Sequence, residues 1–136
     1  MTNDALPNGL IETMGTGTTA EAAARAVAAI EATENLGLMT QVDHAANATK
    51  VDMELAPTIE LFLGHPMGGT PLMQIAPTAG IDLPHKMLII ETDSGVRVLH
   101  NDPAYIGERH GIPADTPQLI GAAATLQRIA NAAAGI

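Results

Sequence analysis

Two long alanine-rich segments near the ends of this chain have the hydrophobic spacing of amphipathic helices, and they constrain its fold more than any other feature. The first, 19–36, follows Thr18 and carries Glu21 three residues later, which is the capping-box pattern of a helix start. The second, 117–134, begins with a proline after Thr116, and proline is favoured at the first position of a helix. Each helix has one apolar face, so the fold must supply a second layer that buries it.

Five other segments alternate apolar and polar residues with the period of β-strands. They are 10–14, 38–43, 58–63, 86–92 and 96–100. The turn Asp93-Ser94-Gly95 joins the last two strands into a hairpin. The order β-α-β(4)-α predicts an α+β fold, a two-layer α/β sandwich with the helices on one face of a mixed sheet.

The remaining segments predict short helices and one loop. Alanine-rich 45–51 and segment 72–76 favour helical turns, and Asp102-Pro103 starts a short helix that ends near Gly111. The segment 64–71 is dense in glycine and proline, which predicts a shaped loop.

Length and composition narrow the class of protein. With 136 residues the chain has the size of one domain, and we expect a flexible N-terminus over 1–8 followed by a single domain over 9–136. The net charge of −9, from 15 acidic and 6 basic residues, argues against nucleic acids and anionic membranes as partners. Cysteine is absent, which excludes disulfides and thiolate sites. A signal peptide and a membrane-spanning window are also missing, so a cytoplasmic protein is expected.

Several blocks in the sequence resemble one family, the domain-of-unknown-function family DUF302. The blocks are Asp43-His44-Ala45-Ala46, Gly64-x-Pro66, Gly69-Thr70-x-Leu72-Met73, Asp82-Leu83-Pro84-x-Lys86, and Asn101-Asp102-Pro103 through Arg109-His110. The resemblance implies a two-layer α/β fold, often dimeric, and it brings no reaction with it. The chain departs from the family pattern at His65, where asparagine is expected, at His85, where an apolar residue is usual, and at His100, a position more often aromatic.

Four histidines lie at predicted strand ends: His44, His65, His85 and His100. Neutral imidazole is a common metal ligand, and Asp43 or Asp82 would complete a set for zinc, nickel or iron. Parallel pairing of the second and third strands would bring His44 and His65 to one edge. Close metal-binding spacings are absent, and local hydrogen bonding explains such histidines equally well. We therefore predict no cofactor, and keep a metal or haem site as the alternative.

Other polar groups have both a structural and a functional interpretation. The Gly68-Gly69-Thr70 segment precedes a helix. Its backbone amides could bind an anion, or its glycines could form a tight turn with positive φ. Lys86 suits an ion pair with Asp82 or Glu91, or a catalytic lysine. Arg109-His110 at a helix end complements the helix dipole. The single serine, Ser94, lies in a hairpin turn without a base beside it, which argues against a serine hydrolase.

These patterns favour a binding or accessory domain over an enzyme. We expect a small-molecule site at one rim of the sheet, formed by His44, His65, Gly68 to Thr70, Lys86 and Tyr105. The first alternative is a small metal-dependent or acid/base enzyme with His44 as the base and Asp82 or Lys86 in support. The second is a protein-interaction module. It follows, like an expected homodimer, from apolar residues on both faces of the predicted sheet, such as Leu88 opposite Ile89.

Overall fold

A computed structural model describes residues 5–136. The strands are β1 (Leu10–Gly15), β2 (Gly37–Asp43), β3 (Thr58–Gly64), β4 (His85–Thr92) and β5 (Gly95–Asn101). The helices are α1 (Thr19–Glu31), α2 (His44–Thr49), α3 (Pro66–Ile75), α4 (Pro103–His110) and α5 (Pro117–Ala134), with a 3-10 helix at Pro77–Asp82. The predicted order of strands and long helices is confirmed.

The five strands form one sheet in the order β1-β5-β4-β3-β2, and every neighbouring pair is antiparallel. The expected two-layer α+β fold is therefore confirmed, but the sheet is antiparallel and not mixed. The reason lies in the connection after β2. Because α2 has only 6 residues and does not run back along the sheet, β3 begins at the end where β2 stops.

The main core lies between α1, α5 and one face of the sheet. Thr18 and Glu21 form the predicted capping box, which starts α1 at Thr19. The fully buried side chains that meet in this core are Ala22, Ala26, Ile30, Leu61, Leu63, Met87, Ile89, Val96, Val98, Ile129, Ala130 and Ala133. The small alanine side chains let both helices pack close to the larger strand residues. Aliphatic side chains therefore fill the core, although the chain has only two aromatic residues.

Two predicted boundaries are wrong. Helix α1 ends at Glu31, and the left-handed φ of 57° at Asn35 prevents a helix from continuing to residue 36. The segment predicted as a loop at 64–71 is mostly helix α3. Its start is stabilised by His65, whose Nδ1 accepts a hydrogen bond from the Met67 amide at 3.1 Å, and by Pro66 at the first helical position.

A second, smaller core holds the 3-10 helix in place. Leu72 of α3, Ala79 of the 3-10 helix, Ile112 and Leu119 are buried together. This cluster attaches the 3-10 helix to the start of α5 and to the residues that follow α4. The polar residues of the 3-10 helix are thereby held at a defined position relative to α4.

Among residues 5–136, no long helix packs on the other face of the sheet. Phe62, Leu88 and Ile90 point to this face and are half-buried, whereas Leu61 and Ile89 on the helix-covered face are fully buried. We call it the open face. It also carries the ion pair between Arg97 and Glu12, whose Nε and Oε2 atoms lie 2.5 Å apart.

The predicted flexible segment 1–8 is only partly described. Residues 1–4 lie outside the described part of the chain, and residues 5–8 belong to no helix or strand. In this segment the Pro7 carbonyl accepts a hydrogen bond from the Leu10 amide at 3.3 Å. None of the helices within 5–136 has the length and apolar character required to cross a bilayer.

Candidate functional site

A cavity of about 430 Å³ lies at the end of the sheet where β3 ends and β4 begins. Its walls come from the residues after α1, from β2, from α3 and from the first half of α5. Most of the lining is apolar and consists of Leu36, Met39, Leu63, Met73, Leu83, Pro84, Ala122 and Leu126. A volume of this size lies in the range of small-molecule sites in proteins.

The face of α5 that lines the cavity carries small side chains and one longer polar side chain, Gln118. Gln118, Gly121, Ala122 and Thr125 line it, and their spacing of three and four residues places them on the same side of the helix. A Cβ atom built on Gly121 meets nothing within 4 Å. The small residues recur at helical spacing, but no local pattern distinguishes this face of α5 as a cavity wall.

Four predicted site residues line this cavity near the start of α3: His65, Gly68, Gly69 and Thr70. They do not form the anion-binding loop or the positive-φ turn that the sequence suggested. The Gly68 and Gly69 amides donate to the His65 carbonyl oxygen at 2.9 and 3.1 Å, and the Met67 amide is capped by the His65 ring. These amides are therefore engaged. An asparagine at position 65, as in the family pattern, would cap the helix equally well.

His85 also lines the cavity, and its environment keeps the imidazole uncharged. Burial is the main cause that lowers the pKa of His85 to about 4, and the nearby Lys86 and His100 contribute to this value. The neighbouring Pro84 follows a cis peptide bond. At neutral pH the cavity therefore presents a neutral imidazole and not a cation.

The remaining predicted site residues lie elsewhere. His44 starts α2 at the opposite end of the sheet and makes a 2.9 Å contact from Nε2 to Glu60 Oε1. Lys86 points to the open face, where Nζ donates to the Pro84 carbonyl at 3.2 Å and lies 5.8 Å from the Phe62 ring centroid. It pairs with neither Asp82 nor Glu91. Tyr105 packs against Gly9 and is 41% exposed.

The single rim that we predicted from the sequence is therefore wrong in part. Because β2 and β3 are antiparallel, the end of β2 that carries His44 and the end of β3 that carries His65 are a strand length apart. Within residues 5–136 no three histidine or acidic side chains come together as metal ligands, so the proposed set of His44, His65, His85 and His100 does not form a metal centre.

His100 is a buried histidine on the helix-covered face, next to the cavity residue His85. It is only 3% exposed. Its Nδ1 lies 3.0 Å from the Asn101 carbonyl oxygen, which identifies Nδ1 as the protonated nitrogen. Among the described residues its buried Nε2 has no hydrogen-bond partner.

Outside the cavity, a cluster of polar side chains joins the 3-10 helix to the end of α4. His110 Nε2 lies 2.6 Å from Asp82 Oδ2, and Thr78 Oγ1 lies 2.8 Å from His110 Nδ1. The Arg109 Nη1 group donates to both carboxylate oxygens of Asp82 at 3.0 and 3.1 Å. The sequence assigned Arg109 and His110 to the helix dipole and Asp82 to Lys86, so it missed this cluster. The signal was available, because all three residues belong to the blocks that resemble the family.

A wider and more open groove of about 800 Å³ lies at the other end of the sheet, beside the start of α1. Asp43, Glu54 and Glu91 are among the residues that line it. Two of these carboxylates are already engaged, since Asp43 caps α2 and Glu91 accepts a 2.8 Å hydrogen bond from the Thr19 amide. The groove therefore offers a bound molecule fewer polar groups than its lining suggests.

The fold and the sequence blocks agree with one family model. Residues 12–136 match the model described as domain of unknown function DUF302. The chain belongs to the DUF302 family. The family membership accounts for the order of elements, but its description assigns no reaction to either the cavity or the polar cluster.

A solved DUF302 structure has the same fold. The crystal structure of an uncharacterized conserved DUF302 protein from Bacillus stearothermophilus superposes with a TM-score of 0.81. The match covers 93% of this chain and 99% of that one, at 12% identity. At this identity the likeness concerns the fold alone.

The curated relatives are longer proteins. The chain is 40% identical over 87 residues to a protein named fluoride-specific ion channel FluC 1 from Brucella suis, and to one of the same name from Brucella abortus. These segments are 63% of this chain but only 34% and 32% of the two relatives, so the match spans about a third of their length.

Proposed function

We propose that this DUF302 domain binds a small, uncharged and largely apolar molecule in the cavity between α3, α5 and the ends of β3 and β4. The observation that carries the proposal is the cavity itself, with about 430 Å³ of space and an apolar lining. Well-packed protein interiors contain few voids larger than a water molecule. A space of this size at the end of the core is therefore best explained by a ligand that fills it.

The charges around the cavity define the kind of ligand. Among the described residues that line it, Glu34 is the only acidic one, and lysine and arginine are absent. His85 is neutral at pH 7, because its pKa is lowered to about 4. An anionic ligand would therefore find no compensating charge, whereas His85, Gln118 and Thr125 offer hydrogen bonds to a neutral polar group.

The test is a substitution in α5 that places a larger side chain in the cavity. We expect Gly121→Leu to fold, since a Cβ at this position meets nothing within 4 Å, and to place a bulky side chain in the cavity. Binding of the uncharged fluorescent probe N-phenylnaphthylamine should weaken at least about tenfold, which corresponds to ~1.4 kcal/mol. The measurement is a fluorescence titration, and the unfolding midpoint of each variant verifies its fold.

The matched control is Ala124→Leu, which adds the same side chain to the exposed face of α5 outside the cavity. This variant should bind the probe as the wild-type protein does. Equal affinities of the wild-type and Gly121→Leu proteins would contradict the cavity as the binding site.

We also propose that the domain is a homodimer that buries the open face of the sheet. The support is the row of half-buried apolar residues at the centre of that face, Phe62, Leu88 and Ile90, with the Arg97–Glu12 pair beside it. An apolar centre with a polar rim is typical of interfaces, and a two-fold dimer uses one patch twice.

Leu88→Asp tests the dimer, because two carboxylates would be buried in a two-fold interface. We expect the dissociation constant of the dimer to increase at least about 30-fold. This change corresponds to ~2 kcal/mol, the binding free energy typically lost when a central interface residue is replaced. Analytical ultracentrifugation across the micromolar range measures it. Ile120→Asp is the control, since Ile120 is 59% exposed on α5 and away from the open face. A wild-type protein that sediments as a monomer over this range would refute the dimer.

The relatives favour an accessory role for this binding function. A segment with 40% identity to this chain occurs in Brucella proteins named fluoride-specific ion channels, where it is about a third of the length. A domain that recurs as part of longer proteins is suited to sensing a small molecule on their behalf. Ligand occupancy of the cavity would be the signal.

A further inference from the structure

We propose that Thr78, His110 and Asp82 form a hydrolytic site for carboxylic esters with apolar acyl groups, separate from the cavity. The three side chains make a continuous chain of hydrogen bonds, from Thr78 Oγ1 to His110 Nδ1 at 2.8 Å and from His110 Nε2 to Asp82 Oδ2 at 2.6 Å. A hydroxyl, an imidazole and a carboxylate in this order are the parts of an activated nucleophile. None of the three lines the cavity.

The carboxylate determines which imidazole nitrogen acts as the base. An ionised carboxylate only accepts hydrogen bonds, so His110 Nε2 must carry the proton in its contact with Asp82. The Nδ1 atom then has a free electron pair that faces the Thr78 hydroxyl. The Arg109 Nη1 group, at 3.0 and 3.1 Å from the two oxygens, orients the Asp82 carboxylate. The geometry therefore places the base on the correct side of the ring.

Burial divides the site into a protected base and an accessible nucleophile. The His110 side chain is 6% exposed and the Asp82 side chain 17%, whereas Thr78 is exposed. The second core, around Ala79 and Ile112, holds the 3-10 helix against the residues after α4. A substrate can therefore reach the Thr78 hydroxyl while the imidazole keeps a fixed position.

Apolar side chains beside Thr78 define the substrate class. Residues three apart lie on the same side of a 3-10 helix, so Ile81 is next to Thr78, and it is 72% exposed. Ile75, at the end of α3, is 50% exposed. These two side chains offer an apolar surface to an acyl chain.

The reaction is acyl transfer to Thr78 followed by hydrolysis. Thr78 Oγ1 forms a bond to the ester carbonyl carbon and its proton passes to His110 Nδ1. The bond from that carbon to the alcohol oxygen breaks, and the departing oxygen takes the proton from Nδ1. Water then attacks the acyl carbon and gives its proton to Nδ1. Thr78 Oγ1 leaves with that proton, and a carboxylic acid is released.

The test uses p-nitrophenyl butyrate with the whole protein. We expect Thr78→Val and His110→Gln to lower kcat/KM at least about 100-fold, and Thr78→Ser to retain the activity within about tenfold. His44→Gln is the control for hydrolysis by a surface imidazole, because the half-exposed His44 belongs to neither site. It should hydrolyse the substrate as the wild-type protein does.

Mass spectrometry of acid-quenched wild-type protein tests the intermediate independently of any variant. One butyryl group is expected on the peptide that contains Thr78. Acylation at other residues only, or equal rates in the wild-type protein and Thr78→Val, would overturn the proposal and leave the cluster as a structural link between the 3-10 helix and α4. Cooperative unfolding verifies that Thr78→Val and His110→Gln are folded. If either variant is not folded, Asp82→Asn takes its place, and we expect the same loss of activity from it.

Discussion

Replacing Gly95 with alanine should destabilise the domain by about 3–5 kcal/mol, the largest stability effect that we expect from a single methyl group. Gly95 begins β5 after the two-residue turn of the hairpin, with a φ of +144° that side chains rarely adopt. A Cβ at this position would also overlap the backbone carbonyl oxygen of Gly15 at the end of β1. Backbone strain and a backbone clash therefore act together.

Urea denaturation measures this loss as a lower midpoint with an unchanged slope. Gly121→Ala is the matched control, because that glycine is inside α5 and its added Cβ meets nothing within 4 Å. Alanine there should stabilise the helix by about 1 kcal/mol. A loss below about 1 kcal/mol for Gly95→Ala would show that the junction between β1 and β5 relaxes easily.

Acidification should destabilise the protein through His85. Its pKa is about 4 in the folded state and 6.5 in the unfolded chain, so between these values the unfolded chain binds a proton that the folded protein does not. Stability therefore decreases as the pH falls below 6.5, and the decrease ends near pH 4. Above pH 6.5 both states are neutral and this histidine has no effect. We expect a loss of about 2 kcal/mol between neutral pH and about pH 5.

His85→Gln isolates this contribution, since glutamine does not titrate. The difference between the unfolding free energies of the wild-type protein and the variant should change by about 2 kcal/mol between neutral pH and about pH 5. Other histidines and carboxylates are common to both proteins and cancel in the difference. If the two proteins lose stability in parallel, the His85 imidazole is better solvated than its burial indicates.

Several helix starts and strands could be predicted from the sequence because their causes are local. The Thr18–Glu21 capping box, the Asp102-Pro103 start of α4 and the extent of α5 are all as predicted. The hairpin turn before Gly95 also follows from residues that are neighbours in the chain. The loop predicted at 64–71 is mostly helix, because the His65 ring caps the first turn and Pro66 occupies the first helical position.

The candidate sites were less predictable, because they depend on strand direction and helix packing. An antiparallel pairing of β2 and β3 separates His44 from His65, although either direction fits the alternating pattern of their residues. Gly121 and Thr125 look like ordinary helix residues until α5 is placed against Pro84 and Met73.

The amino-acid sequence alone determined the five strands, the two long helices and the two-layer arrangement, because periodicity and capping act over a few residues. Only the tertiary structure decided which polar groups meet. Asp82 and His110 are 28 positions apart in the chain, and the second core brings them to 2.6 Å. Their contact depends on the packing of α3, the 3-10 helix and α5, which no local pattern encodes.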